Sequence, residues 1–146
     1  MKLTRRVLQN RAKPVDFRYP LRNQIMAQRL QDFMIQQRAI GLSANQVGIN
    51  QRVFVMKVAD RLRWCFNPEI LEWSDSSVEF DEGCLSFPGD QCTITRPAEI
   101  TVRYQNAQGD WSEERLQDLE ARCFQHELDH LNGITMWDRH KEQNAE

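Results

Sequence analysis

Apolar positions change their period along this chain, and the changes mark out its elements. Between residues 22 and 38, Met26, Leu30 and Phe33 recur at helical spacing with Ile25 and Met34 beside them, which predicts an amphipathic helix. Gly41 lies close enough to act as its stop signal. Residues 51–59 hold Val53, Phe54, Val55, Met56 and Val58, a β-branched-rich run that predicts a strand. Asn67-Pro68 interrupts the next short apolar stretch. Val78 and Phe80 alternate with polar neighbours, predicting a strand that leads into Glu82-Gly83-Cys84-Leu85-Ser86. Ile100, Val102 and Tyr104 alternate in the same way. Residues 106–110, with Gly109, read as a turn, and Trp111 opens a returning strand. From residue 115 to 131, Leu116, Leu119, Cys123, His126 and His130 share one helical face, while Phe124, Leu128 and Leu131 form a second stripe. That helix is expected to be buried on most sides and to end at Gly133. Strands first and a core helix late predict an α+β fold, with a mostly antiparallel sheet around the late helix.

Composition narrows the class. The 146 residues suit one domain, 1–146, large enough for its own core. No apolar run approaches the roughly 20 residues that span a bilayer, so no membrane partner is expected. The charged start Met1-Lys2-Leu3-Thr4-Arg5-Arg6 leads into no apolar segment of the secretory kind. Reduced thiols follow, so Cys65, Cys84, Cys92 and Cys123 read as buried small hydrophobes, metal ligands or catalytic groups rather than disulfides. The net charge of −2, with both signs along the chain, gives no evident nucleic-acid site.

The chemistry concentrates in His126-Glu127-Leu128-Asp129-His130, an H-E-x-x-H motif on the late helix. Spacing of i, i+4 puts both imidazoles on one side, where they can reach one ion, with Glu127 beside them as general acid/base. A catalytic site of this kind takes a third protein ligand and keeps a position open. Met136 stands where a third histidine would complete a longer motif, and only 16 residues follow His130. His140 sits in a polar tail and reads as a solvated surface residue. Cys84 is the better third ligand, following a strand, with Gly83 letting the backbone come close and a thiolate suiting iron or zinc. Cys123 is expected to line the pocket.

These residues resemble the peptide deformylase family. Three motifs stand in the family's order: Gly41-Leu42-Ser43-Ala44-Asn45-Gln46, similar to its G-L-A-A-x-Q loop; Glu82-Gly83-Cys84-Leu85-Ser86, matching E-G-C-L-S; and Gln125-His126-Glu127-Leu128-Asp129-His130. Ala12-Lys13-Pro14-Val15, Asn67-Pro68-Glu69 and Arg96-Pro97-Ala98-Glu99 extend the likeness over nearly the whole chain. The resemblance implies removal of the N-formyl group from N-formylmethionyl nascent peptides, releasing formate. It implies Cys84, His126 and His130 as ligands, and Glu127 as the proton shuttle between metal-bound water and the leaving amine. The Gln46 amide and the Leu85 backbone N–H would stabilise the oxyanion. Ile40, Gly41, Phe80, Leu119 and Cys123 would line the methionine pocket or its rim. Fe²⁺ is the implied native metal, with Zn²⁺, Ni²⁺ or Co²⁺ able to substitute. The implied setting is a bacterial cytoplasm, that of a phage-infected host included, with weak or transient ribosome contact expected from the short tail after Trp137.

Three positions depart from the family pattern: Ala39 for the first loop glycine, Ser43 for an alanine, and Arg122 where an apolar residue is common. Arg122 bears on preference beyond methionine. Two other readings stay open. One is an H-E-x-x-H metallopeptidase. The other is a non-catalytic domain with a closed structural zinc site, its fourth ligand drawn from Cys123, Cys92 or His140. Retention of Glu127 and Gln46 speaks against the second, since a structural site needs neither.

Overall fold

A computed structural model describes residues 1–5 and 8–145. The elements run α1 (Pro20–Gln36), β1 (Gly41–Ser43), a 3₁₀ turn (Ala44–Val47), β2 (Val53–Val58), β3 (Arg61–Trp73), β4 (Ser77–Glu82), β5 (Cys92–Pro97), β6 (Glu99–Gln105), β7 (Trp111–Gln117), α2 (Asp118–Leu131) and α3 (Met136–Gln143). Strands β1-β2-β3-β6-β7 form one sheet and β4-β5 a second, with antiparallel pairing throughout both. The fold is the expected α+β type. Among the described residues, no helix is long and apolar enough to cross a membrane.

The larger sheet is covered on both faces, and β2 shows why its sequence does not alternate. Val53 and Val55 pack with Ala27, Leu30 and Met34 of α1. Phe54, Met56 and Val58 pack on the other side with Ala121, Phe124 and Leu131 of α2. Phe54 meets Phe124 edge to face, centroids 5.0 Å apart. Fully burying each such side chain stabilises the fold by about 1.5–3 kcal/mol, which holds α2 firmly between the sheets.

Several boundaries differ from the sequence expectation. Helix α1 begins two residues earlier, with Pro20 in its first turn. It ends at Gln36 because Arg38 takes φ +58°, and Arg38 and Ala39 return hydrogen bonds to the carbonyls of Ile35 and Met34. Gly41 is not the stop; it opens β1. The buried stripe is Asn23, Ala27, Leu30 and Met34, one step round from the expected face, and Ile25 is exposed. Strand β3 runs through Asn67-Pro68 as a bulge. Asn67 takes φ +48° while its side chain binds the Val15 backbone through both N–H and C=O, so the strand kinks instead of ending. Residues 115–117 finish β7, and the chain turns into α2 at Asp118, φ +53°. Leu116 is therefore buried from a strand, and Leu119 lies on the exposed rim. Gly133 does end α2: at φ +76° it and Ile134 bond back to His130 and Asp129. The tail forms α3, capped reciprocally by Thr135 and Asp138. His140 is half-buried against β5, its Nδ1 3.2 Å from Thr93 O, rather than fully solvated.

Candidate metal centre and active site

Three elements converge beside α2. The helix contributes His126, Glu127 and His130; the end of β4 and the loop after it contribute Glu82 and Cys84; β1 and the 3₁₀ turn contribute Gly41, Ser43 and Gln46. One turn of helix brings the two imidazoles to 4.6 Å between centroids. Cys84 Sγ lies 3.7 Å from His130 Nε2, and the donor atoms of Cys84, His126 and His130 all lie within 4.8 Å of one another. No fourth donor joins this group among the described residues. Cys123 instead points its thiol at Ile40 O, and Cys92 packs with Ile94 and Met136. His140 is turned to Thr93 O, so none of the three candidates supplies the fourth ligand a closed structural site would need.

A carboxylate that sequence reasoning passed over stands behind these three donors. His126 Nδ1 lies 2.7 Å from Glu82 Oε1, so the ring donates there and turns Nε2 toward the centre. Arg96 and Arg122 both donate to Glu82, and Arg96 also binds Asp129, which Arg139 holds from α3. Burial alone would raise the Glu82 carboxyl, but the hydrogen bonds from His126 and Arg96 outweigh it and hold the group at about 2. Burial likewise opposes charge on Cys84, yet hydrogen bonds from His126 and His130 bring its thiol down to about 6. The donor set is thus a thiolate and two oriented imidazoles, which fits a divalent transition ion. Glu82→Gln is expected to weaken metal affinity by about 10–100-fold, the usual effect of losing such an outer partner. Metal titration followed by calorimetry checks this, and unchanged affinity would remove Glu82 from the site.

Glu127 is buried beside the metal group, its Oε1 3.1 Å from His130 Nδ1. Gly41 makes room for it: a Cβ at that position would sit 2.5 Å from Glu127 Oε2 and 2.9 Å from Cys123 Sγ. Only glycine allows this approach. Gln46 reaches in through Nε2, 3.5 Å from Cys84 Sγ. Its place is fixed by a capping box with Ser43 across the 3₁₀ turn, and Asn45 of the same turn donates to His130 O at 2.6 Å.

Gly41, Gln46, Glu82, Cys84, His126 and Glu127 line one cavity of about 690 Å³, whereas His130 and Ser43 do not. The five pocket positions read from sequence, Ile40, Gly41, Phe80, Leu119 and Cys123, line it, as does Leu85. Ile40, Phe80 and Leu119 are 45 %, 53 % and 41 % exposed and form the rim; Cys123, at 5 %, lies deep. Arg122 also lines the wall. Its guanidinium is engaged by Glu82, Ile94 O and Val78 O, and it lies over the Phe80 ring at 5.4 Å. The arrangement can bind an apolar side chain next to a metal, a buried carboxylate and an amide donor.

Comparison with known proteins bears on what that arrangement serves. A family model described as polypeptide deformylase matches residues 1–146. A peptide deformylase of Thermotoga neapolitana is 47 % identical over 92 % of this chain and 82 % of its own length. The crystal structure of peptide deformylase from Thermotoga maritima superposes with a TM-score of 0.88 at 43 % identity, covering 94 % of this chain and 95 % of that one. A probable peptide deformylase from a Synechococcus phage gives 0.89 at 35 % identity, with 95 % and 99 % covered.

Proposed function

The chain belongs to the polypeptide deformylase family, whose metal-dependent enzymes remove the N-formyl group from nascent peptides, and we propose that residues 1–146 form one catalytic domain with Cys84, His126 and His130 as its metal ligands. The carrying observation is that these three donors lie within 4.8 Å of one another, and that two of them, Cys84 and His126, line one cavity with Glu127 and Gln46.

The residues divide the work by position. The apolar cavity takes the methionine side chain, with Cys123 and Gly41 inside and Ile40, Phe80 and Leu119 at the entrance. Held by Cys84, His126 and His130, a divalent ion would supply Lewis acidity and lower the pKa of a water ligand. Glu127 takes the proton released as the formyl carbon is attacked and returns it to the departing amine. The Gln46 Nε2–H and Leu85 N–H donate to the oxygen that gains charge. Glu82 keeps His126 in the tautomer that leaves Nε2 free for the ion, and carries no proton in the reaction. A metallopeptidase reading gains nothing from the comparisons, since the deformylase family model matches residues 1–146.

We place Fe²⁺ in the centre, with Zn²⁺, Ni²⁺ and Co²⁺ as substitutes, since imidazole and thiolate accept all four. We place the protein in a bacterial cytoplasm, in transient contact with ribosomes. The deciding experiment loads metal-free protein anaerobically with each ion and measures formate release from formyl-Met peptides before and after air. The iron form is expected to be the most active and to lose activity in air, because ferrous iron beside a thiolate exposes Cys84 to oxidation. The zinc form is expected to survive, having no redox chemistry. Absence of formate with every metal would overturn the function. Equal turnover and equal survival of iron and zinc forms would overturn the metal assignment alone.

A further inference from the structure

Gln46 is gripped at both ends of its amide. Its Oε1 accepts from Ser43 N at 3.0 Å and from Ser43 Oγ–H at 3.1 Å. Its Nε2 donates to Ser86 Oγ at 3.1 Å and lies 3.5 Å from Cys84 Sγ. Ser43, Gln46 and Ser86 are 0 %, 1 % and 5 % exposed, so no water competes for these bonds. The terminal torsion of a glutamine is soft and roughly two-fold, and nothing intrinsic stops the amide from turning over. Here a turned amide would set its NH₂ against the Ser43 N–H, donor facing donor, and its oxygen against the Cys84 thiolate. Both contacts are repulsive in a buried place.

The two hydroxyls have separate parts in this. Ser43 Oγ also lies 3.3 Å from His130 Nδ1, so it can accept from that ring while its own proton goes to Gln46 Oε1. The ligand His130 and the amide are thereby tied into one chain. Ser86 occupies one of the two Nε2 hydrogens and leaves the other directed at the Cys84 corner of the cavity. The Ser86 backbone is itself steadied from outside by Arg5, whose Nε donates to Ser86 O at 2.6 Å and whose guanidinium covers the Phe87 ring at 4.5 Å.

We propose that Ser43 and Ser86 are positioning residues that lock the orientation of the Gln46 amide, so that one N–H always points at the reacting carbonyl. The inference rests on reading Gln46 as an oxyanion donor. Removing such a donor outright typically lowers kcat by about 10²–10³-fold. Loosening its aim is expected to lower it less, about 10-fold for Ser86→Ala. The effect should be smaller for Ser43→Ala, where the backbone N–H still holds Oε1.

The test measures kcat, KM and bound metal for holoenzyme carrying Ser43→Ala, Ser86→Ala, Gln46→Ala and the pairwise combinations. The expected result is a fall in kcat with KM within about two-fold and metal content unchanged. In the Gln46→Ala background neither serine change should lower kcat further, because there is no amide left to aim. Serine effects that persist undiminished in that background, or serine variants with wild-type kcat, would overturn the inference while leaving Gln46 as donor. A Gln46→Ala protein with wild-type kcat would overturn both. If Ser86→Ala fails to fold, Ser43→Ala carries the same comparison, since alanine is the residue the related loops commonly hold there.

Discussion

Replacing Cys84 by Ala is expected to yield a folded protein that retains essentially no metal and releases no formate above background. Cys84 is half-buried in a loop, so the lost packing is small, and the two remaining donors sit on one helix and reach the ion from one side only. Nothing nearby replaces the thiolate: the group holds three donors, Cys123 is turned to Ile40 O, and burial pushes its thiol well above the ordinary range. The loss should exceed the roughly 10–100-fold that an outer partner such as Glu82 contributes. His126→Ala and His130→Ala are expected to behave alike, whereas Cys92→Ala and His140→Ala should keep a full complement. Elemental analysis after purification decides it. A Cys84→Ala protein with stoichiometric metal would mean that the ligand set is wrong.

The centre was legible in the sequence where chemistry depends on local spacing. The i, i+4 histidines of α2 meet because helix geometry alone brings them together, and Cys84 stood out once Met136 and the polar tail had been dismissed. Glu82 was not legible, although it lies two residues from Cys84. At the end of a strand whose other residues are exposed, a glutamate reads as surface. Its burial depends on Arg96 from β5 and Arg122 from α2, which only the folded chain brings to it. Arg122 looked like a substrate-facing oddity for the same reason, and much of its charge is taken up inside this network. The α1 face slipped by one step because its buried stripe includes Asn23 and Ala27, a polar and a small side chain that do not mark an apolar face, while the apolar Ile25 stays exposed. Strand β1 has three residues, too few for a period to show. The pocket positions were carried by family resemblance, since core packing would have been the better reading of each alone.

Glu127→Ala is expected to keep its metal and lose most of its turnover. Glu127 is not in the ligand group, so coordination survives, while a positioned acid/base is typically worth about 10²–10⁴-fold in rate. The site explains why a substitute cannot slip in. Glu127 is 4 % exposed, its Oε2 is held against Gly41 with no space for a methyl group, and its Oε1 meets His130. Water could enter the space left by Ala, yet it would lack a base fixed at the departing amine. Glu127→Gln separates two explanations. The amide keeps the shape and can still accept a hydrogen bond from His130, but it cannot take up a proton at neutral pH. If proton transfer is the function, Gln should be nearly as slow as Ala, with KM little changed. If Glu127 only orients His130, Gln should recover most of the rate. Steady-state kinetics across pH, with metal content measured on the same samples, distinguish the two, and wild-type kcat/KM in either variant would end the acid/base assignment.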